Sequence, residues 1–133
     1  MNFEYKAKIY GYECDIYGHL NNANYQHIFE AARSEMLDQI GISLVKLLTE
    51  GIHLYVKKIA VDYLIGVPYG ESIVVKSWID SVSRVRSVWI QEIWSSDRRL
   101  MTKAMVEGVF AKEGKPSRIS KEWEKILLRS IDN

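Results

Sequence analysis

The sequence predicts an α+β domain in which a curled, five-stranded antiparallel sheet wraps one long helix. Three observations carry this. One apolar stripe at helical spacing runs from about Asn24 to Ile40. Four long segments rich in Val, Ile, Tyr and Trp follow from Ile52 onward, and short polar turns separate them. Consecutive long strands joined by short turns imply an antiparallel meander.

Phe3 to Tyr12 reads as the first strand, with Phe3, Tyr5, Ala7 and Ile9 on one parity and Glu4, Lys6 and Lys8 on the other. A polar loop, Glu13 to Ala23, precedes the helix. In that helix Tyr25, Ile28, Phe29, Ala32, Met36 and Ile40 recur at three- and four-residue steps. Gly41 stands where a left-handed C-terminal residue belongs, and a short helical turn is expected around Ser43 to Thr49. Strands then follow at Ile52 to Val67, Ser72 to Val82, Val85 to Ser95 and Leu100 to Lys112, punctuated by "GVPYGE", "SRVR" and "SSDRR". The tail "SRISKEWEKILLRS" closes as a short helix with Ser120 as N-cap. One helix cannot cover both faces of a flat five-stranded sheet, so the sheet is expected to curl around it. Any apolar face or edge left over favours self-association.

The 133 residues fit one domain, 1–133, and a hydrophobic fraction of 47% with 26% charged residues is ordinary for a soluble globular chain. A net charge of +1 provides no global field toward nucleic acid or an acidic membrane surface, so neither is expected as a partner. The single Cys14 excludes an intrachain disulfide, and the chain opens without a signal-peptide pattern, so a reducing cytoplasmic location is expected. No window approaches the roughly 18 apolar residues of a membrane helix. No repeated ligand pair stands at the usual spacings, so no metal is expected.

The stretch "ECDIYGHLNNANYQHIFEAAR", Glu13 to Arg33, concentrates the chemically capable side chains. A helix N-terminus presents unpaired backbone N–H groups and a partial positive charge. If the loop folds across that end, the Asp15 carboxylate and a set of amide donors face one small volume, an arrangement suited to acyl transfer. Asp, Asn and Gly before a helix are also ordinary capping and turn residues, so a purely structural loop stays open at this point.

This stretch resembles the signature of hot-dog-fold thioesterases of the 4-hydroxybenzoyl-CoA thioesterase type. The match falls on Asp15, Gly18, His19, Asn21, Asn22, Tyr25, Phe29, Glu30, Ala32 and Arg33. "VKKIAVDYLIGVPYGESIVVKSWI" is similar to the family's next two strands. The resemblance implies a hot-dog fold, Asp15 as the catalytic carboxylate, and a backbone amide near Tyr25 polarising the thioester carbonyl. It also implies a site at a dimer interface, with an acyl pocket drawn from both subunits. Whether Asp15 acts as general base or nucleophile stays open.

His19 is expected to position substrate or water, or to hydrogen-bond Asp15. Asn21 and Asn22 orient substrate or hold the loop, while Tyr25 and Phe29 serve as core or pocket wall on the apolar stripe. Glu30 and Arg33, three residues apart, read as a helix-face ion pair. Cys14 ranks below Asp15 as a nucleophile, since nothing points to a lowered thiol pKa. Arg84 and Arg86, in "SRVR", are the first candidates for coenzyme A phosphates. The four tryptophans read as core or interface anchors.

These observations converge on a thioester hydrolase acting on an acyl-CoA (fatty or aromatic), or on an acyl-carrier-protein thioester. No separate cofactor is expected, coenzyme A entering as part of the substrate, and a homodimer or homotetramer is expected. Competing readings are a dehydratase of 3-hydroxyacyl thioesters and a non-catalytic acyl-CoA-binding module on the same fold.

Overall fold

The computed structural model describes residues 2–131. In chain order the elements are β1 (Phe3–Lys8), α1 (Asn22–Ile40), α2 (Leu44–Thr49), β2 (His53–Tyr63), β3 (Ser72–Val82), β4 (Arg86–Ser95), β5 (Leu100–Lys112), β6 (Lys115–Pro116) and α3 (Lys121–Arg129). The sheet order is β1-β3-β4-β5-β2, with the two-residue β6 added beside β5, and all these strand pairs are antiparallel. The sheet thus has six strands, one short one more than expected.

Alternation decides which face of the sheet is buried. On β3, Ile73, Val75, Ser77 and Ile79 turn inward; on β4, Ser87, Trp89, Gln91 and Ile93 do so. Helix α1 lays Tyr25, Ile28, Phe29, Ala32, Met36 and Leu37 against that concave face. Leu37 takes a core place that the spacing assigned to Ile40, which is half-buried. Two core clusters result. One, around Tyr25, Phe29, Ile73 and Ile93, sits under the start of α1; the other, around Met36, Ile79, Trp89 and Trp123, sits under its end. Trp89 and Trp123 are core residues, whereas Trp78 and Trp94 are half-buried on strand positions of the opposite parity.

Local signals account for the ends of α1. Asn21 caps its start by accepting the Ala23 amide on its side chain, and Gly41 ends it at φ 91°, a left-handed conformation that glycine adopts without a Cβ clash. Ser43 and Ser120 cap α2 and α3 in the same way.

The meander needs one correction. β3, β4 and β5 follow one another across the sheet, but β2 pairs with β5 rather than with β3. The strand expected to run to Val67 stops at Tyr63 because the Leu64 and Ile65 amides both turn to the Met101 carbonyl, at 2.9 and 3.0 Å. From there the chain crosses the sheet to reach β3 beside β1. β2 is therefore a free edge, carrying exposed Tyr55, Val56 and Tyr63, with exposed Leu64 and Ile65 just beyond it. No helix among the described residues is long and apolar enough to cross a membrane.

Candidate active site

The chain that crosses the sheet also builds the loop. Leu20 N–H donates to the Val67 carbonyl at 2.7 Å and Tyr69 N–H to the Gly18 carbonyl at 2.9 Å. Short antiparallel bridges join His19 to Pro68 and Cys14 to Leu20. Asp15 to Gly18 forms a tight turn closed by Gly18 N–H on the Asp15 carbonyl at 3.1 Å. Gly18 sits at φ 79°, a conformation that explains its place in the motif.

Within that turn Asp15 Oδ1 accepts the backbone N–H of Tyr17 at 2.9 Å and of His19 at 3.3 Å. Among the described residues Oδ2 accepts no hydrogen bond, which leaves one carboxylate oxygen oriented and available. The carboxylate is half-buried. His19 therefore meets Asp15 through its amide, not its ring. The ring lies against Gly66, where an added Cβ would come within 3.2 Å of His19 Nδ1.

The first turn of α1 can be accounted for amide by amide. Asn21 N–H donates to the Glu13 carbonyl at 2.9 Å, Ala23 N–H to the Asn21 side chain at 3.0 Å, and Asn24 N–H to the Asn21 carbonyl at 2.9 Å. The Asn22 amide is left over among the first three helical positions, which a helix orphans. Tyr25, the fourth residue of α1, stands one position beyond them, and Asn24 rather than Tyr25 donates to the Asn21 carbonyl. Asn24 also ties the helix to the loop by donating its side-chain amide to the Glu13 carbonyl at 2.9 Å.

Tyr25 is 2% exposed and packs edge-on against Tyr63, ring centroids 4.9 Å apart. Burial pushes its phenol above the ordinary value of 10.0, while hydrogen bonding from Thr102 and from the Val67 backbone N–H pulls the other way. Thr102 Oγ1, beside that hydroxyl, is the one buried side-chain polar atom among the described residues left without a well-aligned hydrogen bond. Phe29 is fully buried, a core residue rather than an open pocket wall.

Other candidates separate from this cluster. Burial, then the carboxylates of Asp15 and Glu13, push the Cys14 thiol above its ordinary value of 9.0, the direction opposite to that of an activated nucleophile. Arg84 donates Nε–H to the Ile119 carbonyl at 2.9 Å, and Arg86 pairs with Glu107 at 3.2 Å. Both lie at the β3–β4 turn, beside the second core cluster and at the other end of those strands from Asp15. No group of three or more His, Cys, Asp or Glu that could hold a metal ion occurs among the described residues.

The expected Glu30–Arg33 ion pair is not formed. Arg33 instead turns toward the sheet and donates Nη1–H to Gln91 Oε1 at 2.9 Å, while Glu30 stays in solvent. Gln91 is fully buried, and its Nε2 donates to the Phe29 carbonyl and to Ser77 Oγ, both at 3.0 Å. A buried amide needs such partners, and Arg33 supplies the last of them. Sequence reasoning passed over this network, although a signal was present: Gln91 shares the inward parity of Trp89 and Ile93 in "WIQEI".

Asp15 lines none of the main clefts formed by the described residues. Around it Tyr12, Ile16, Tyr17, Leu64 and Tyr69 are exposed by more than half of their surface.

Comparison with known proteins agrees with this fold. An acyl-acyl carrier protein thioesterase of the Arabidopsis thaliana chloroplast, ATL2, is 32% identical over 91 residues, covering 68% of this chain and 48% of that protein. The acyl-CoA thioester hydrolase YbgC of Escherichia coli is 26% identical over 104 residues, 78% of either chain. The chain spans about half the length of the plant relatives it matches, 48% and 44% of them. The crystal structure of a DHNA-CoA thioesterase from Staphylococcus aureus superposes with a TM-score of 0.90 at 28% identity, covering 96% of this chain and 89% of that one. The sequence model of the thioesterase-like superfamily matches residues 11–127, and the chain belongs to that superfamily.

Proposed function

We propose that this chain hydrolyses an acyl-CoA thioester to the free acid and coenzyme A, with Asp15 as the catalytic carboxylate. One observation carries this reading. Two backbone amides orient Asp15 through Oδ1, its Oδ2 stays open, and the loop that holds it is tied to the start of α1. The thioester carbonyl oxygen points at the first-turn amide of Asn22, and its carbon faces Asp15. A water held by Oδ2 gives its proton to the carboxylate as its oxygen attacks the carbonyl carbon. The C–S bond then breaks, and the leaving thiolate recovers the proton. His19, Asn21 and Asn22 shape the mouth of the site. In the alternative route Oδ2 attacks directly and water opens the resulting anhydride. Single turnover in 18O-water separates the two, because only the anhydride route labels the Asp15 carboxylate.

The names of YbgC and of the Staphylococcus aureus enzyme favour a coenzyme A thioester; those of the plant relatives favour acyl-carrier protein. Arg84 and Arg86 remain the proposed contacts for CoA phosphates, supplied from a second copy. That copy is proposed to pair along the free edge of β2. Antiparallel pairing of two identical edges brings the His53 end of one strand to the Tyr63 end of the other, beside Asp15. No separate cofactor takes part in this scheme.

The test is thiol release from a panel of acyl-CoA and acyl-carrier-protein thioesters. Release from the CoA esters that is lost in Asp15→Asn supports the reading. Tight binding of the esters with no release supports a non-catalytic module instead.

A further inference from the structure

We infer that Arg33 is a specificity-determining residue that recognises a carboxylate at the far end of the acyl group. This deepens the thioesterase reading and rests on it for the reaction, but not for the binding. A cavity of about 220 Å³ lies between α1, the start of α2 and β2. Leu37, Leu44, Leu54 and Val56 form its apolar wall, Ser34 adds a hydroxyl, and Arg33 and Glu30 supply its charge. It lies between the same two elements that bring Tyr25 against Tyr63 beside the loop.

A guanidinium has five N–H donors. Arg33 gives one to the neutral Gln91, and among the described residues no carboxylate lies within ion-pair distance of it. Glu30 is exposed, so water screens most of its charge. A half-buried cation facing apolar walls, with only a neutral amide for a partner, is a place where an anion gains a charge-assisted, bidentate contact. The walls carry a methylene chain and the guanidinium its end. A plain alkyl chain there strips water from the guanidinium and returns no hydrogen bond.

The length is consistent with this. Asn22 and Arg33 are eleven residues apart, roughly 16 Å along the helix, and the arginine side chain leans back toward the N-terminus. Dicarboxylic acyl groups of about six to twelve carbons bracket the remaining span.

The experiment compares ω-carboxyacyl-CoA thioesters with plain acyl-CoA thioesters of equal length, using the full chain, wild type and Arg33→Met. The wild type is expected to favour the ω-carboxyl substrates by about tenfold or more in kcat/KM, and Arg33→Met to abolish or reverse that preference. An unchanged ratio in Arg33→Met overturns the proposal. Arg33→Gln, which can keep a hydrogen bond to Gln91 without the charge, carries the same readout if the methionine variant does not fold. Calorimetric binding of suberoyl-CoA, octanoyl-CoA and free CoA covers the case in which nothing is hydrolysed. That case sinks the hydrolase reading alone, whereas Arg33 is upheld only if its loss weakens suberoyl-CoA selectively. Equal weakening of free CoA would place a coenzyme phosphate on Arg33 and overturn the assignment.

Discussion

The Tyr17 amide donates to Asp15 Oδ1 at 2.9 Å, closing a side-chain turn that leaves the second carboxylate oxygen open. An asparagine can accept the same hydrogen bond through its own Oδ1, but it cannot take a proton from water. Asp15→Asn is therefore expected to keep the melting temperature and lower kcat by about 10²–10⁴-fold. Asp15→Ala is expected to lose the turn as well. Steady-state thiol release and thermal melts on both variants check this; an active Asp15→Asn would remove the carboxylate from the chemistry.

Gln91 is the load on which the helix–sheet contact turns polar. Gln91→Leu takes a second donor from the Phe29 carbonyl and strands Ser77 Oγ and Arg33 Nη1, and each buried group so left costs about 1–3 kcal/mol. Relief is partial, since Arg33 can rotate toward solvent. A net loss of about 2–4 kcal/mol is expected in urea denaturation.

Tyr25 supplies an alkaline limb to stability. Its phenol is held above the ordinary value of 10.0, so the folded state keeps the proton that the unfolded chain releases. The contribution is whole below pH 10.0 and is lost as pH rises through the folded-state value. Melting temperature should fall across that range, and fall less steeply in Tyr25→Phe. The comparison belongs in a Cys14→Ser background, because the raised thiol pKa of Cys14 acts in the same direction.

Leu64 and Ile65 lie at the end of the free β2 edge, 57% and 37% exposed. If two copies pair there, Leu64→Glu with Ile65→Glu puts four carboxylates into one interface. The double variant should sediment as a single chain, keep its circular dichroism spectrum and lose hydrolysis. A wild type that sediments as a single chain and hydrolyses thioesters would overturn the shared site.

Much of this was legible beforehand. The Asp15–Gly18 turn rests on chemistry that is local in sequence: a turn needs an acceptor at its start and a residue free to adopt positive φ at its end. The stripe from Tyr25 to Met36 and the alternation of β3 to β5 are likewise periodic signals within single elements. The place of β2 is not legible locally, because a strand's neighbour depends on where its connection leads, and the Leu64 and Ile65 amides bonding to the Met101 carbonyl leave no local trace. Helix spacing pairs Arg33 with Glu30 because it reaches only i and i+3, whereas the partner that wins, Gln91, is 58 residues away.

By itself, the sequence determined which long elements form, which faces they bury and which loop holds Asp15, because each follows from neighbours within a few residues. Only the tertiary structure decided that the chain leaving β2 crosses to brace the Asp15 turn. It alone turned Arg33 inward to a buried glutamine, and it alone left the β2 edge unpaired. Those three depend on burial and on hydrogen bonds between distant residues, where desolvation of a polar group overrides its nearest partner in sequence.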